Sequence, residues 1–124
     1  MVSTIAQWTV DVQDVPAMAA FWSEVLGYRR VRLGGGQVKL VPPDDASEAA
    51  LTVLLQPAAG PKNGKNRNHP DLTVAGPVEA EVERLIELGA KRVDVGQTGA
   101  EPFVVLADPE GNEFCLLHGS SRPD

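Results

Sequence analysis

Apolar and polar positions along this chain follow two rhythms. Residues 6–12, AQWTVDV, place an apolar side chain at every second position, the period of a strand with one buried face. The rhythm then lengthens. Met18, Phe21, Trp22, Val25 and Leu26 recur at helical spacing and form one apolar stripe. Asp14 suits the N-cap of that helix, Pro16 its first turn, and Gly27 its left-handed end. RRVRL, GQVKLV and ALTVLLQ are the strand candidates that follow. The same succession then returns. HPDLTV reads as a strand whose proline fits only an edge or a strand start. Gly76-Pro77 opens a second helix, striped by Val78, Val82, Leu85 and Ile86 and ended by Gly89. KRVDV, FVVLAD and EFCLLH are the last strands.

The second half overlays the first at an offset of 62 residues. Gln7 falls on His69, and Val12/Val74, Leu26/Leu88, Gly27/Gly89, Arg30/Arg92, Val31/Val93, Leu54/Leu116 and Leu55/Leu117 are identical pairs. VLLQ at 53–56 falls on CLLH at 115–118, so no gap is needed. The matches span first strand, helix end and last strand, which predicts two βαβββ modules. A single domain over 1–124 is expected, with module one at 1–57, a basic linker at 58–66, module two at 67–119 and a tail at 120–124. Each module is too small to bury a good core alone, so the two are expected to pack as one unit or to exchange between subunits. The linker holds Lys62 and Lys65, with Arg67 just beyond. It reads either as a solvated connector or as a mobile basic lip that attracts an anionic ligand.

Composition narrows the function classes. The 124 residues are 43% hydrophobic and 23% charged, as in soluble globular domains. A net charge of −6 argues against nucleic acid or an anionic membrane as partner. No apolar run approaches the roughly 20 residues that span a bilayer. MVSTIAQW has no signal-peptide core, and the single cysteine cannot form an internal disulfide. A reducing cytoplasm is therefore the expected location. Two tempting motifs are set aside. Gly34-Gly35-Gly36 lacks the GK[ST] sequence and following helix of a phosphate loop. Asp108-Pro109-Glu110-Gly111-Asn112 lacks calcium-loop length and spacing, and reads as a hairpin turn with Gly111 or Asn112 at positive φ.

Three stretches carry a family resemblance: VQDVPAMAAFWSEVLGY after the first strand, LIELGAKRV after the second helix, and DPEGNEFCLL at the end. Together they resemble the vicinal oxygen chelate superfamily, the glyoxalase/bleomycin-resistance/extradiol-dioxygenase group. KNRNHPDL with the NEFC ending resembles its glyoxalase-like branch. The resemblance implies an α+β fold, two tandem βαβββ modules forming a cup-shaped curved mixed sheet with helices outside, assembled as a homodimer. It also implies a small-molecule ligand in the cup and, in catalytic members, a divalent metal held by four side chains. Those positions match Gln7, Val53, His69 and Cys115. Gln7 and His69 fit the pattern. Val53 has no donor, and Cys115 stands where the family normally has glutamate.

Strand periodicity groups the remaining candidates. Gln7, Thr9 and Asp11 share a face, as do His69, Asp71 and Thr73, and as do Glu113 and Cys115. Under the family fold these faces look into the cup, and three readings follow. Gln7, His69 and Cys115 would form an incomplete site for Zn, Ni, Mn or Fe, serving a lyase/isomerase or a dioxygenase, with no carboxylate in register. Alternatively the cup is metal-free, and Gln7, Thr9, Asp11, Asp71, Thr73 and Glu113 orient a ligand, as in a drug-sequestering resistance protein. In the third, His69 and Glu113 are catalytic, with His69 beside Asp71, Asp11 or Glu113 as a proton-transfer pair. Against all three stands a plain alternative, in which these are hydrogen-bonded structural groups and Cys115 is a small buried hydrophobe.

Overall fold

The computed structural model describes residues 1–118, and the expected tail at 120–124 lies outside them. The chain divides into two units, Met1–Pro61 and Lys62–Asp124. In the first, β1 (Gln7–Val12) leads into α1 (Val15–Leu26), then β2 (Arg29–Arg32), β3 (Val38–Val41) and β4 (Thr52–Pro57). The second repeats the order with β5 (Asp71–Leu72), α2 (Val78–Leu88), β6 (Lys91–Arg92), β7 (Phe103–Ala107) and β8 (Glu113–Leu117). The sheets run β1-β4-β3-β2 and β5-β8-β7-β6. In each, the first and last strands of the module pair in parallel and the others antiparallel. These are two βαβββ modules of mixed sheet in an α+β fold.

Local chemistry accounts for most element ends. Asp14 accepts from the Ala17 N–H at 3.0 Å, and Gly27 closes α1 at φ 69°. The stripe residues Met18, Phe21 and Trp22 are buried. Trp22 meets Trp8 of β1 and Phe21 edge-to-face, at centroid separations of 5.3 and 5.1 Å. Each such pair is worth about 1 kcal/mol beyond its buried area. In the second unit Val82 and Leu85 of α2 are fully buried, as are Phe114 and Leu106. β5 and β6 are shorter than their sequence patterns suggest. Both are outer strands of their sheet, and Pro70 has no N–H to extend β5, although its carbonyl still accepts from Cys115 N at 3.0 Å.

The 62-residue overlay fails at the last strands. Thr9 of β1 pairs with Leu54 of β4, whereas Asp71 of β5, 62 residues later, pairs with Cys115 of β8. The counterpart of Cys115 is therefore Leu54, at an offset of 61. Val53 pairs instead with Trp8 and is buried on the α1 side. Identical letters in VLLQ and CLLH hid this shift, and in a strand one residue exchanges the faces. By pairing register, the residue of module one equivalent to Cys115 is thus Leu54 rather than Val53.

The turn before β8 is tightly self-bonded. Asp108 is 2% exposed, and its Oδ1 accepts from the N–H groups of Glu110 and Asn112 at 3.0 and 2.9 Å. The Asn112 amide donates to Asp108 Oδ2 at 3.0 Å. Gly111 supplies the positive φ, 89°, so the turn needs none from Asn112. Removing the carboxylate leaves several buried donors unmatched. Asp108→Ala is expected to lower stability by about 2–3 kcal/mol, read as a lower urea midpoint with an unchanged slope.

Candidate functional site

The parallel β5–β8 pairing brings Asp71 directly opposite Cys115. A carboxylate is therefore in register with the thiol, which the sequence reading denied. His69 lies two residues before Asp71, and its Nδ1 is 3.2 Å from Asp71 Oδ1. One donor atom from each of His69, Asp71 and Cys115 lies within 4.8 Å of the others. His69 and Asp71 are exposed, while Cys115 is buried. Together they line a cavity of about 180 Å³ in the second unit. Its apolar wall is Val95, Phe103 and Val105, and Lys65 and Glu113 complete it. Glu113 and Cys115 do face one space, as their alternation on β8 requires.

Electrostatics separates the two. Burial raises the Cys115 thiol pKa, and the charge and hydrogen bonding of Asp71 raise it further, against a smaller opposing pull from Lys65. The thiol is therefore protonated at neutral pH when no cation is present. Glu113 is also lifted by burial, but hydrogen bonds from the Asn66 N–H and Lys62 outweigh this and hold its carboxyl below the ordinary value of 4.5. Lys62 Nζ and Asn66 N each donate to this carboxylate at 3.0 Å. The Asn66 side chain also donates to Asn112 Oδ1 at 3.1 Å. The stretch expected to be a solvated connector is, from Lys62 to Asn66, strapped to the start of β8.

A divalent ion is the group that the resemblance implies, and the donor set fits one. Imidazole, carboxylate and thiolate are ligands that zinc and its late neighbours accept, and three of them leave a position open for a ligand. Asp71 beside a thiol is a costly pairing once both are ionised, and a cation offsets it. Within this unit the third donor beside His69 and Cys115 is Asp71. Gln7 belongs to the first unit, where its amide is 3.5 Å from Thr9 Oγ1.

The other expected residues divide between the units. Gln7, Thr9 and Asp11 share one face of β1, opposite Thr52, Leu54 and Gln56. Asp11 Oδ1 accepts from Gln56 Nε2 at 2.8 Å, and Gln56 in turn accepts from Gln37 at 3.3 Å. The alternation of β4 could have singled out Gln56, and nothing local could have singled out Gln37. Thr73 is exposed beyond the end of β5 and is not among the residues lining the cavity. Lys65 was legible only as a charge in a basic stretch.

Comparison with known proteins agrees with this architecture. FosX, a genomically encoded fosfomycin resistance protein from Listeria monocytogenes, superposes with a TM-score of 0.73 at 17% identity, over 98% of this chain and 97% of its own. FosX from Mesorhizobium loti gives 0.71 at 17% identity, over 98% and 95%. The hypothetical protein SA1046 from S. aureus gives 0.66 at 20% identity, over 96% and 95%. One Listeria structure is of a mutant complexed with Mn(II) and 1S,2S-dihydroxypropylphosphonic acid. At these identities the likeness establishes the fold. No curated protein sequence gives a significant match. The model of the glyoxalase-like domain, however, matches residues 7–117, through both modules, and the chain accordingly belongs to that family, within the vicinal oxygen chelate superfamily.

Proposed function

We propose that this protein binds a small molecule in the second unit's cavity, beside a divalent metal held by His69, Asp71 and Cys115. The observation that carries the reading is the convergence of these three donors within 4.8 Å on one cavity wall. The fold's occurrence with Mn(II) and a phosphonate diol in Listeria FosX supports it. Thiolate and imidazole favour zinc or nickel here, ahead of iron and manganese. A bound ion would supply Lewis acidity toward an oxygen of the ligand. Lys65 places a cation at the same cavity, suited to an anionic oxygen, and Phe103, Val95 and Val105 give apolar contact. Glu113 serves as the anchor of the 62–66 strap. A carboxylate so held is a weak base at neutral pH. A lyase or isomerase of the glyoxalase type is the reaction class we favour, in a cytoplasmic homodimer. The short His69–Asp71 contact supports a second reading, a metal-free cup that sequesters a ligand.

Metal content decides between them. Untagged protein purified without chelator should carry about one ion per chain. His69→Ala and Cys115→Ser should each weaken binding at least about 100-fold. The cobalt-loaded protein should show a thiolate-to-metal charge-transfer band that Cys115→Ser abolishes. Failure to bind zinc, nickel, manganese or iron would remove the metal reading and leave sequestration. Glu113 has its own signature. Its pKa is lowered on folding, so its contribution to stability is complete above pH 4.5 and disappears as pH falls through the folded value. Wild type should exceed Glu113→Gln by about 1 kcal/mol at pH 7, and this gap should close as pH falls below 4.5 in paired urea titrations.

A further inference from the structure

The first unit carries an unneutralised pair of arginines. β2 reads RRVR in a chain of net charge −6. Its period of two sends Arg30 and Arg32 to one face, opposite Leu40 and Val38 of β3, and Arg29 to the other. Leu40 is fully buried, which identifies the Arg30/Arg32 face as the one that α1 packs against. Both arginines line an open groove of about 550 Å³. The opposite wall is the start of α1, with Val15, Pro16 and Ala19, and Val38 lines it from β3. Leu33, Gly36 and Gln37 line it from the turn between β2 and β3, where Gly36 sits at positive φ, 77°.

Nothing in this groove answers the charge. In the second unit Lys62, Arg84 and Arg92 pair with Glu113, Glu81 and Glu79. Among the described residues, neither the Arg30 nor the Arg32 side chain has a carboxylate or hydrogen-bond partner. α1 has no acidic residue in its first turn, and the Asp14 carboxylate is engaged with the Ala17 N–H. Two guanidinium groups two strand residues apart repel, and each offers a planar fork that matches the oxygens of a phosphate. The facing wall is apolar. The groove's volume lies within the range of small-molecule sites.

We infer that the first unit holds a second ligand site, in which Arg30 and Arg32 bind the phosphate of a phosphate monoester and Val15, Pro16, Ala19 and Val38 bind its apolar body. It shares no residue with the cavity of the second unit, so it stands or falls separately from the metal reading.

The test is an amide NMR titration of the full-length protein with phenyl phosphate at about 0.15 M salt, where exposed charges are screened. Saturable shifts are expected at Ala19, Gly36 and Val38. The double variant Arg30→Gln/Arg32→Gln should raise Kd at least about tenfold, with Arg32→Gln alone intermediate. Arg29→Gln, on the other face, and His69→Ala, in the other unit, should leave Kd unchanged. Inorganic phosphate and benzoate should bind more weakly than phenyl phosphate. The proposal is overturned by an absence of saturable shifts, by an unchanged Kd in the double variant, or by inorganic phosphate binding as tightly as phenyl phosphate.

Discussion

The register of β5 against β8 is the constraint on which the candidate site depends. Asp71 and Cys115 are 44 residues apart in sequence and directly opposite in the sheet. The pairing is anchored where Cys115 N donates to the Pro70 carbonyl. His69, just before Pro70, is thereby carried to the same wall. A slip of one residue would turn Asp71 toward α2 and leave Cys115 facing Leu72. Such a slip is opposed because it would carry the Asp71 carboxylate to the side packed by Phe114, Leu116, Val82 and Leu85 and remove Leu72 from it. The chemistry on one face of β8 is held in place by packing on the other.

The turn and the strap add a second layer of positioning. Asp108 organises Asn112, Asn112 accepts from Asn66, and Asn66 and Lys62 together hold Glu113. This run of hydrogen bonds ties a polar segment with little packing of its own to a rigid strand end. It also uses up Glu113, the carboxylate that the sequence makes most conspicuous. Asp71, which looks unremarkable in HPDLTV, is the carboxylate that faces the thiol across the sheet.

The periodicities of the sequence revealed both helices, the strand faces and the duplicated architecture, because each is a local pattern of burial. Trp22 and Phe21 were legible as core for the same reason. What was not legible depends on pairing between distant segments. The opposition of Asp71 and Cys115, the capture of Glu113 by Lys62, and the link from Gln37 through Gln56 to Asp11 are all cross-strand or loop-to-strand events. The resemblance to a family pointed at His69 and Cys115, and the strand pairing adds Asp71 of the same unit to the donors gathered there.

The single-residue difference between the two modules bears on how tandem duplicates diverge. Measured from the 62-residue offset, β7 lies four residues late and β8 one residue early, so the loops on either side of β7 change length in opposite senses while the strand faces are kept. Here hydrophobic burial has kept Val53 and Phe114 in equivalent places, although matching letters align Val53 with Cys115. In a repeat protein of this kind, packing fixes which face of a strand is buried even where the residue count between strands changes, and a gapless alignment conceals the shift.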